Sequence, residues 1–321
     1  MFGRKLGEGE FGVVLLAQAE GISNDEPSTT VAVKILRNDK NESTTKAMIS
    51  ELKMIILIGQ HLNIVNLIGA VTENIQNNEL MIVLEYCRYG SVLEFIRKNK
   101  SNFVDSLDLQ HDSRQTEGSE QSNGGLRTTF QTIDFICWAK QVADGMNYLA
   151  SKNVFHGDLA ARNVLLCEEN VVKISDFGLA RSFNYKNMYK KKGKDRVPYK
   201  WLALESISDQ IFSVASDVWA YGVFLWELFS LGTVPYPGIP LDEHFYNLLH
   251  GGYRMEQPRY ASRPIYDVML LCWNKNPNLR PTFDKLARVF NAMLPKELID
   301  HYMALGDPFM QVNQARESSR V

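Results

Sequence analysis

The chain has 321 residues, 45% apolar and 22% charged, and its 35 basic and 37 acidic side chains sum to a net charge of −2. At roughly 150 residues per domain this length holds about two domains with ample core, which excludes a small disulfide-stapled module. The balanced charge excludes a global attraction to nucleic acid or an anionic membrane, so any charge-driven recognition has to be local. No apolar run approaches the roughly 18 residues that span a bilayer, and residues 1–20 lack the basic, apolar, small-residue order of a secretory signal. A soluble chain is expected. The four cysteines, Cys87, Cys137, Cys167 and Cys272, show no CxxC spacing, which suits buried thiols in a reducing compartment better than a disulfide framework or a zinc site.

Met1 runs straight into Phe2-Gly3-Arg4-Lys5-Leu6 and a glycine-rich turn, so the start reads as a cut inside a longer protein. Residues 1–20 and 29–37 read as strands, because Leu6, Val13, Val14 and Leu15 flank that turn and Val31-Ala32-Val33-Lys34-Ile35-Leu36 is apolar and rich in β-branched residues. From Glu42 to Leu57, Ala47, Met48, Leu52, Ile55 and Ile56 recur at helical spacing, and two further strands are expected near Ile64–Val71 and Leu80–Leu84. The stretch from Asn102 to Arg127 is dense in Ser, Asp, Gln, Glu and Gly, with too few apolar side chains to offset the entropy lost on ordering it. A mobile insertion is expected there. Helical periodicity returns at Ile133–Leu149, Val214–Phe229, Phe245–His250, Ile265–Trp273 and Phe283–Met293, and a polar, frayed end is expected within residues 297–321.

Gly7-Glu8-Gly9-Glu10-Phe11-Gly12 places glycines where a backbone turns tightly and can approach a polyphosphate. By itself this pattern also fits a hairpin turn. A strand, not a helix, follows it, which disfavours a dinucleotide fold, and no Walker lysine is present. Lys34 lies within an apolar strand, where a charge needs a partner or ligand unless it snorkels from the strand edge. Glu51, in the following helix beside the apolar Leu52, is a candidate partner, although a solvated helix carboxylate is the alternative. Further on stand His156-Gly157-Asp158-Leu159-Ala160-Ala161-Arg162-Asn163 and Ser175-Asp176-Phe177-Gly178, each next to a short apolar strand.

With these segments in this order, the chain resembles a protein kinase over nearly its whole length. The resemblance implies an α+β, bilobal protein-kinase fold: a small β-rich N-lobe with one main helix at 1–85, and a larger, mainly α C-lobe at 86–321 that carries a polar kinase insert at about 100–129. It implies ATP and Mg²⁺ as cofactors. Asp158 would accept the substrate hydroxyl proton, with Lys34 and Arg162 also catalytic, and Asn163 and Asp176 would hold the metal. Leu6, Gly7, Gly9, Gly12, Val14, Ala32, Lys34, Glu51, Leu84, Glu85, Cys87 and Leu165 would form the nucleotide site, although Leu84 also fits plain strand core. Glu205 and Arg280 would pair as a buried strut, and Asp217 would fix the catalytic-loop backbone.

Asp158-Leu159-Ala160-Ala161-Arg162-Asn163 and Pro198-Tyr199-Lys200-Trp201 resemble the tyrosine-kinase forms of the catalytic loop and substrate platform, where a serine/threonine kinase typically carries lysine at the position of Ala160. Ser50-Glu51-Leu52-Lys53, Gly59–Ala70, Glu85–Gly90 and Val234–Gly238 are similar to the platelet-derived and vascular endothelial growth factor receptors. That subfamily implies the cytoplasmic side of the plasma membrane within a single-pass receptor that dimerises, a monomeric fragment being compatible with this. It also implies tyrosine substrates that include the chain's own activation segment, SH2-type phosphotyrosine readers, and no nucleic acid. Gly157 departs from the usual His-Arg-Asp and is read as an invertebrate-type variant. Tyr189 matches the activation-segment tyrosine and Tyr185 sits near a second. Phosphorylated Tyr189 is expected to order its loop through Arg181 or Arg196, unless the basic cluster around it is simply solvated. A nucleotide-binding pseudokinase scaffold and a serine/threonine kinase are the competing readings.

Overall fold

The structure, a computed structural model, describes residues 1–9, 12–22, 27–36, 42–75, 79–105, 129–183, 189–190 and 198–318. Five strands come first: β1 (Phe2–Glu8), β2 (Gly12–Glu20), β3 (Ser28–Leu36), β4 (Leu67–Asn74) and β5 (Glu79–Glu85). They form one antiparallel sheet in the order β1-β2-β3-β5-β4. Val31, Ala32 and Val33 of the central strand are all buried, as expected of a β-branched run. Gly12 is needed where β2 crosses β3, since a Cβ there would lie 2.3 Å from the Ile35 carbonyl oxygen.

Between β3 and β4 runs α1 (Glu42–Ile58), which buries Met48, Leu52, Ile55 and Ile58. Ile56 falls outside that stripe and is 54% exposed, contrary to its expected place in the apolar face. The expected strand from Ile64 also starts later. Asn66 Nδ2 donates to the His61 carbonyl and His61 N–H to Asn66 Oδ1, closing a turn that redirects the chain. Val65 N–H then donates to the Ile174 carbonyl in the second lobe, so residues 64–66 tie the lobes together before the sheet strand begins at Leu67.

The second lobe begins with α2 (Val92–Lys98), capped by the Ser91 hydroxyl, a helix too short for its periodicity to register in the sequence. The expected insertion leaves from β6 (Phe103–Val104) and returns at β7 (Phe130–Gln131), which pair in parallel, and the Phe103 ring packs on Phe130 and Phe135. Residues 106–128, the bulk of it, lie outside the described residues. Then follow α3 (Thr132–Ser151), β8 (Val154–Phe155), β9 (Val164–Leu166), β10 (Val172–Ile174), β11 (Arg181–Ser182), β12 (Tyr189–Lys190), α4 (Leu204–Ser208), β13 (Ile211–Phe212) and α5 (Val214–Phe229). The chain continues through α6 (Glu243–His250), α7 (Arg263–Cys272), α8 (Phe283–Asn291) and α9 (Lys296–Ser318).

Helix α9 carries the described chain to Ser318, with Leu298, Ile299, Tyr302 and Leu305 packed on the core, and residues 319–321 of the expected frayed end lie outside the described residues. Asn313 farther along exchanges hydrogen bonds with the backbone of Gln60. Helix α5 is the core of the lobe, with Asp217, Trp219, Tyr221, Phe224 and Phe229 buried. Against it lies the expected strut: Arg280 donates to both Glu205 oxygens at 2.6 and 2.8 Å and to the Ala215 carbonyl. Removing one partner of a buried pair strands the other charge. Arg280→Ala is therefore expected to lower unfolding free energy by about 3–5 kcal/mol, read from urea denaturation; a loss below about 1 kcal/mol would mean the pair is solvated like a surface bridge.

Candidate active site

Lys34 sits in mid-β3 between Val14 of β2 and Ile82 of β5, its side chain 9% exposed. A buried ammonium requires a counter-charge, and the Glu51 carboxylate meets it at 2.6 and 2.7 Å. Burial alone would lower the Lys34 pKa; the carboxylates of Glu51 and Asp176 outweigh it and keep the amine charged. Asp176 approaches from the other lobe at 3.9 Å. Its backbone is left-handed, φ 62°, and its side chain is 47% exposed, so it is turned toward solvent beside the lysine.

The loop from His156 to Asn163 hangs from α5. Asp217 accepts from His156 N–H at 2.7 Å and Gly157 N–H at 2.9 Å. His156 Nδ1 accepts from Asp158 N–H, and Nε2 lies 3.0 Å from the Ser175 carbonyl oxygen, which assigns the proton to Nε2. Burial lowers the pKa of this imidazole, holding it neutral. Gly157 has φ 79°, and a Cβ there would come within 3.3 Å of the Leu179 carbonyl oxygen. Glycine thus fits a backbone that any other residue would strain.

The Asp158 carboxylate is held by the Arg162 guanidinium and by Asn163 Nδ2 at 2.9 Å. Burial raises its pKa to about 6, partly offset by Arg162. Asn163 Nδ2 also donates to the Asp158 carbonyl at 2.7 Å, and the Asn163 carbonyl accepts from Ser175 N–H and Oγ. Asn163 is therefore bolted next to Asp176. Arg162 lies over the Trp201 ring at 4.4 Å.

The structure thus brings Lys34, Glu51, Asp158, Arg162, Asn163 and Asp176 to one junction between lobes, with a roof and a floor nearby. Leu6 and Gly7 lie in β1 with Gly7 opposite Val14, and the Gly9 N–H closes the turn on the Gly12 carbonyl. Ala32 and Leu84 are cross-strand neighbours. Leu165 of β9 faces Ser91 across an isolated bridge. Cys87 is buried between β5 and α2. Tyr189 pairs with Phe212 and packs on Phe155, whereas Arg181 donates to the Gly178 and Ala180 carbonyls. Tyr185 and Arg196 lie outside the described residues.

Two side-chain interactions, one of them at Glu85, carried no expectation from the sequence. Glu85 accepts from Asn66 N–H and Nδ2 and pairs with Lys173 at 3.1 Å, so the connecting segment is tied to both lobes. The spacing of these three residues carries no local signal. Glu227 is buried in α5 and accepts from Ala161 N–H and Trp201 Nε1–H. A charge within the apolar run Trp219–Phe229 was its available signal.

Asn163 and Asp176 offer an amide and a carboxylate oxygen, a hard donor set suited to a cation that takes further oxygens from a polyphosphate. Among the described residues no three His, Cys, Asp or Glu side chains converge as a metal site of their own, and none of the helices is long and apolar enough to cross a membrane.

Residues 1–290 match the protein tyrosine and serine/threonine kinase family. The chain belongs to that family. This kinase domain is 43% identical over 315 residues to vascular endothelial growth factor receptor 3 of Danio rerio, covering 91% of the chain and 23% of that receptor. It is 41% identical over 332 residues to vascular endothelial growth factor receptor 1 of Homo sapiens, covering 91% of the chain and 25% of the receptor. Identity to platelet-derived growth factor receptor alpha of Takifugu rubripes is 37% over 380 residues, covering 97% of the chain and 36% of that protein. The domain is a tyrosine kinase domain related to growth factor receptors, and it spans about a quarter of the length of the vascular receptors. Because its Gly157 is left-handed, Gly157→Ala is expected to lower stability by about 1–2 kcal/mol, seen as a lower urea midpoint; an unchanged midpoint would show that the loop relaxes without cost.

Proposed function

We propose that this kinase domain transfers the γ-phosphate of ATP to tyrosine hydroxyls as the catalytic part of a growth factor receptor. The observation that carries the reading is the Asp158 carboxylate, oriented by Arg162 and Asn163 beside the Lys34–Glu51–Asp176 cluster. Asp158 would align the tyrosine hydroxyl and take up its proton as the oxygen attacks the γ-phosphorus and the bond from that phosphorus to the β-phosphate oxygen breaks, with ADP leaving. Lys34, held charged by Glu51, would orient the α and β phosphates, and the glycine turn would cover them. The Glu85 and Cys87 backbone would meet the adenine edge, with Ala32 above the ring, Leu84 lining the back of the pocket, Leu165 below the ring, and Leu6 and Val14 at the front. Asn163 and Asp176 would hold magnesium, which when bound neutralises charge developing on the phosphate oxygens.

Alanine at position 160 and the Arg162–Trp201 stack support tyrosine over serine, since no lysine fills the space beside the base. Relatives that are receptors support a placement on the cytoplasmic side of the plasma membrane within a dimerising receptor, with SH2-type domains reading its phosphotyrosines. Tyr189, and Tyr185 with it, would be the autophosphorylation sites.

Incubation with magnesium and labelled ATP is expected to label a Tyr-only peptide and not a Ser/Thr-only peptide, with Asp158→Asn lowering turnover by roughly 100-fold or more. Labelling no greater than that of the variant would favour the nucleotide-binding scaffold. Tyr189→Phe is expected to remove the rate increase that pre-incubation with ATP gives the parent, and an undiminished increase would exclude Tyr189 as the switch.

A further inference from the structure

Glu227 is 1% exposed on a helix that is otherwise almost wholly apolar, and burial raises its pKa to about 7. A carboxylate in such a place is retained only where donors compensate its desolvation. Two do, from segments far apart in sequence and converging on one atom: Oε2 accepts from Ala161 N–H and from Trp201 Nε1–H, each at 2.9 Å. Ala161 precedes Arg162, and Trp201 supplies the ring on which the Arg162 guanidinium lies. The charged groups acting on Glu227 are Arg162 and Arg97, and Arg97 is engaged by the Gly232 carbonyl. Trp201 Nε1–H has a fixed acceptor, so its ring plane is fixed, and with it the height of the guanidinium that holds the Asp158 carboxylate.

We infer that Glu227 is a positioning residue that pins the catalytic loop and the Trp201 segment to a single oxygen, and through Trp201 and Arg162 sets the orientation of Asp158. The inference rests on the reading of Asp158 as the base. Because the link is geometric and needs one acceptor oxygen, glutamine suffices. Glu227→Gln is expected to keep kcat for a tyrosine peptide within about threefold, whereas Glu227→Met lowers it roughly 10- to 100-fold with KM for ATP within about twofold. Trp201→Phe keeps the stacking face and loses the Nε1 donor. It is expected to lower kcat in the same direction, and the Glu227→Met/Trp201→Phe pair to lose less than the product of the two single losses.

Should Glu227→Met fail to fold, Trp201→Phe alone decides: kcat per folded molecule unchanged within twofold overturns the inference, as do multiplicative losses in the pair. A reading independent of turnover comes from NMR. Glu227→Met, which removes the acceptor, is expected to shift the Trp201 indole N–H, the Ala161 amide and the Arg162 guanidinium resonances together. If they shift together in a protein that labels no peptide, the link stands and the phosphotransfer reading falls. If the Arg162 resonances stay put while the other two move, the link to the base is absent, whatever the turnover.

Discussion

Burying a carboxylate in an apolar helix is unfavourable unless backbone or side-chain N–H groups reach it, and this fold is organised around two such carboxylates on α5. Asp217 is satisfied by His156 and Gly157, and Glu227 by Ala161 and Trp201. Burial raises both, Asp217 to about 6 and Glu227 to about 7, so each depends on its donors for ionisation. The loop that bears Asp158 therefore has few alternatives: the conformation that satisfies α5 is also the one that brings Asp158 to Arg162 and Asn163. His156 adds a third constraint, spending one ring nitrogen on Asp158 N–H and the other on the Ser175 carbonyl.

The opposite wall of the cleft is built on a different balance. Lys34 and Glu51 neutralise one another within 2.7 Å in a dry environment. Asp176 adds a weaker, more solvated contact at 3.9 Å. The first pair fixes α1 on the sheet, whereas the second joins lobes that are otherwise tied by the 64–66 turn and the Glu85–Lys173 bridge. An ion pair confined to one lobe moves with it; a half-exposed contact between lobes can lengthen when a charged ligand competes for Lys34.

Where structure follows from local pattern, the sequence was informative. The run Val31–Leu36 read as a strand from its β-branched residues, and Met48, Leu52 and Ile55 marked the inner face of α1. Ile56 was misplaced because an apolar residue next to a stripe looks like part of it, and exposed aliphatic residues are common. Residues 64–66 read as strand because Ile64 and Val65 are apolar and β-branched, but the side-chain turn closed by Asn66 decides their direction. The order of the catalytic segments identified Lys34, Asp158, Asn163 and Asp176 as candidates. Glu227 and the Asn66–Glu85–Lys173 group depend on contacts between segments far apart in the chain, which no window of sequence contains.

The parallel pairing of Phe103 with Phe130 returns the chain to the place it left, and the ring of Phe135 seals the joint. For any stem of this kind an insertion costs little, since each doubling of the chain between two fixed ends adds only about 0.6 kcal/mol of closure entropy. The stem makes this a place where the chain can change in length while the junction of Lys34, Asp158 and Asp176 keeps its shape.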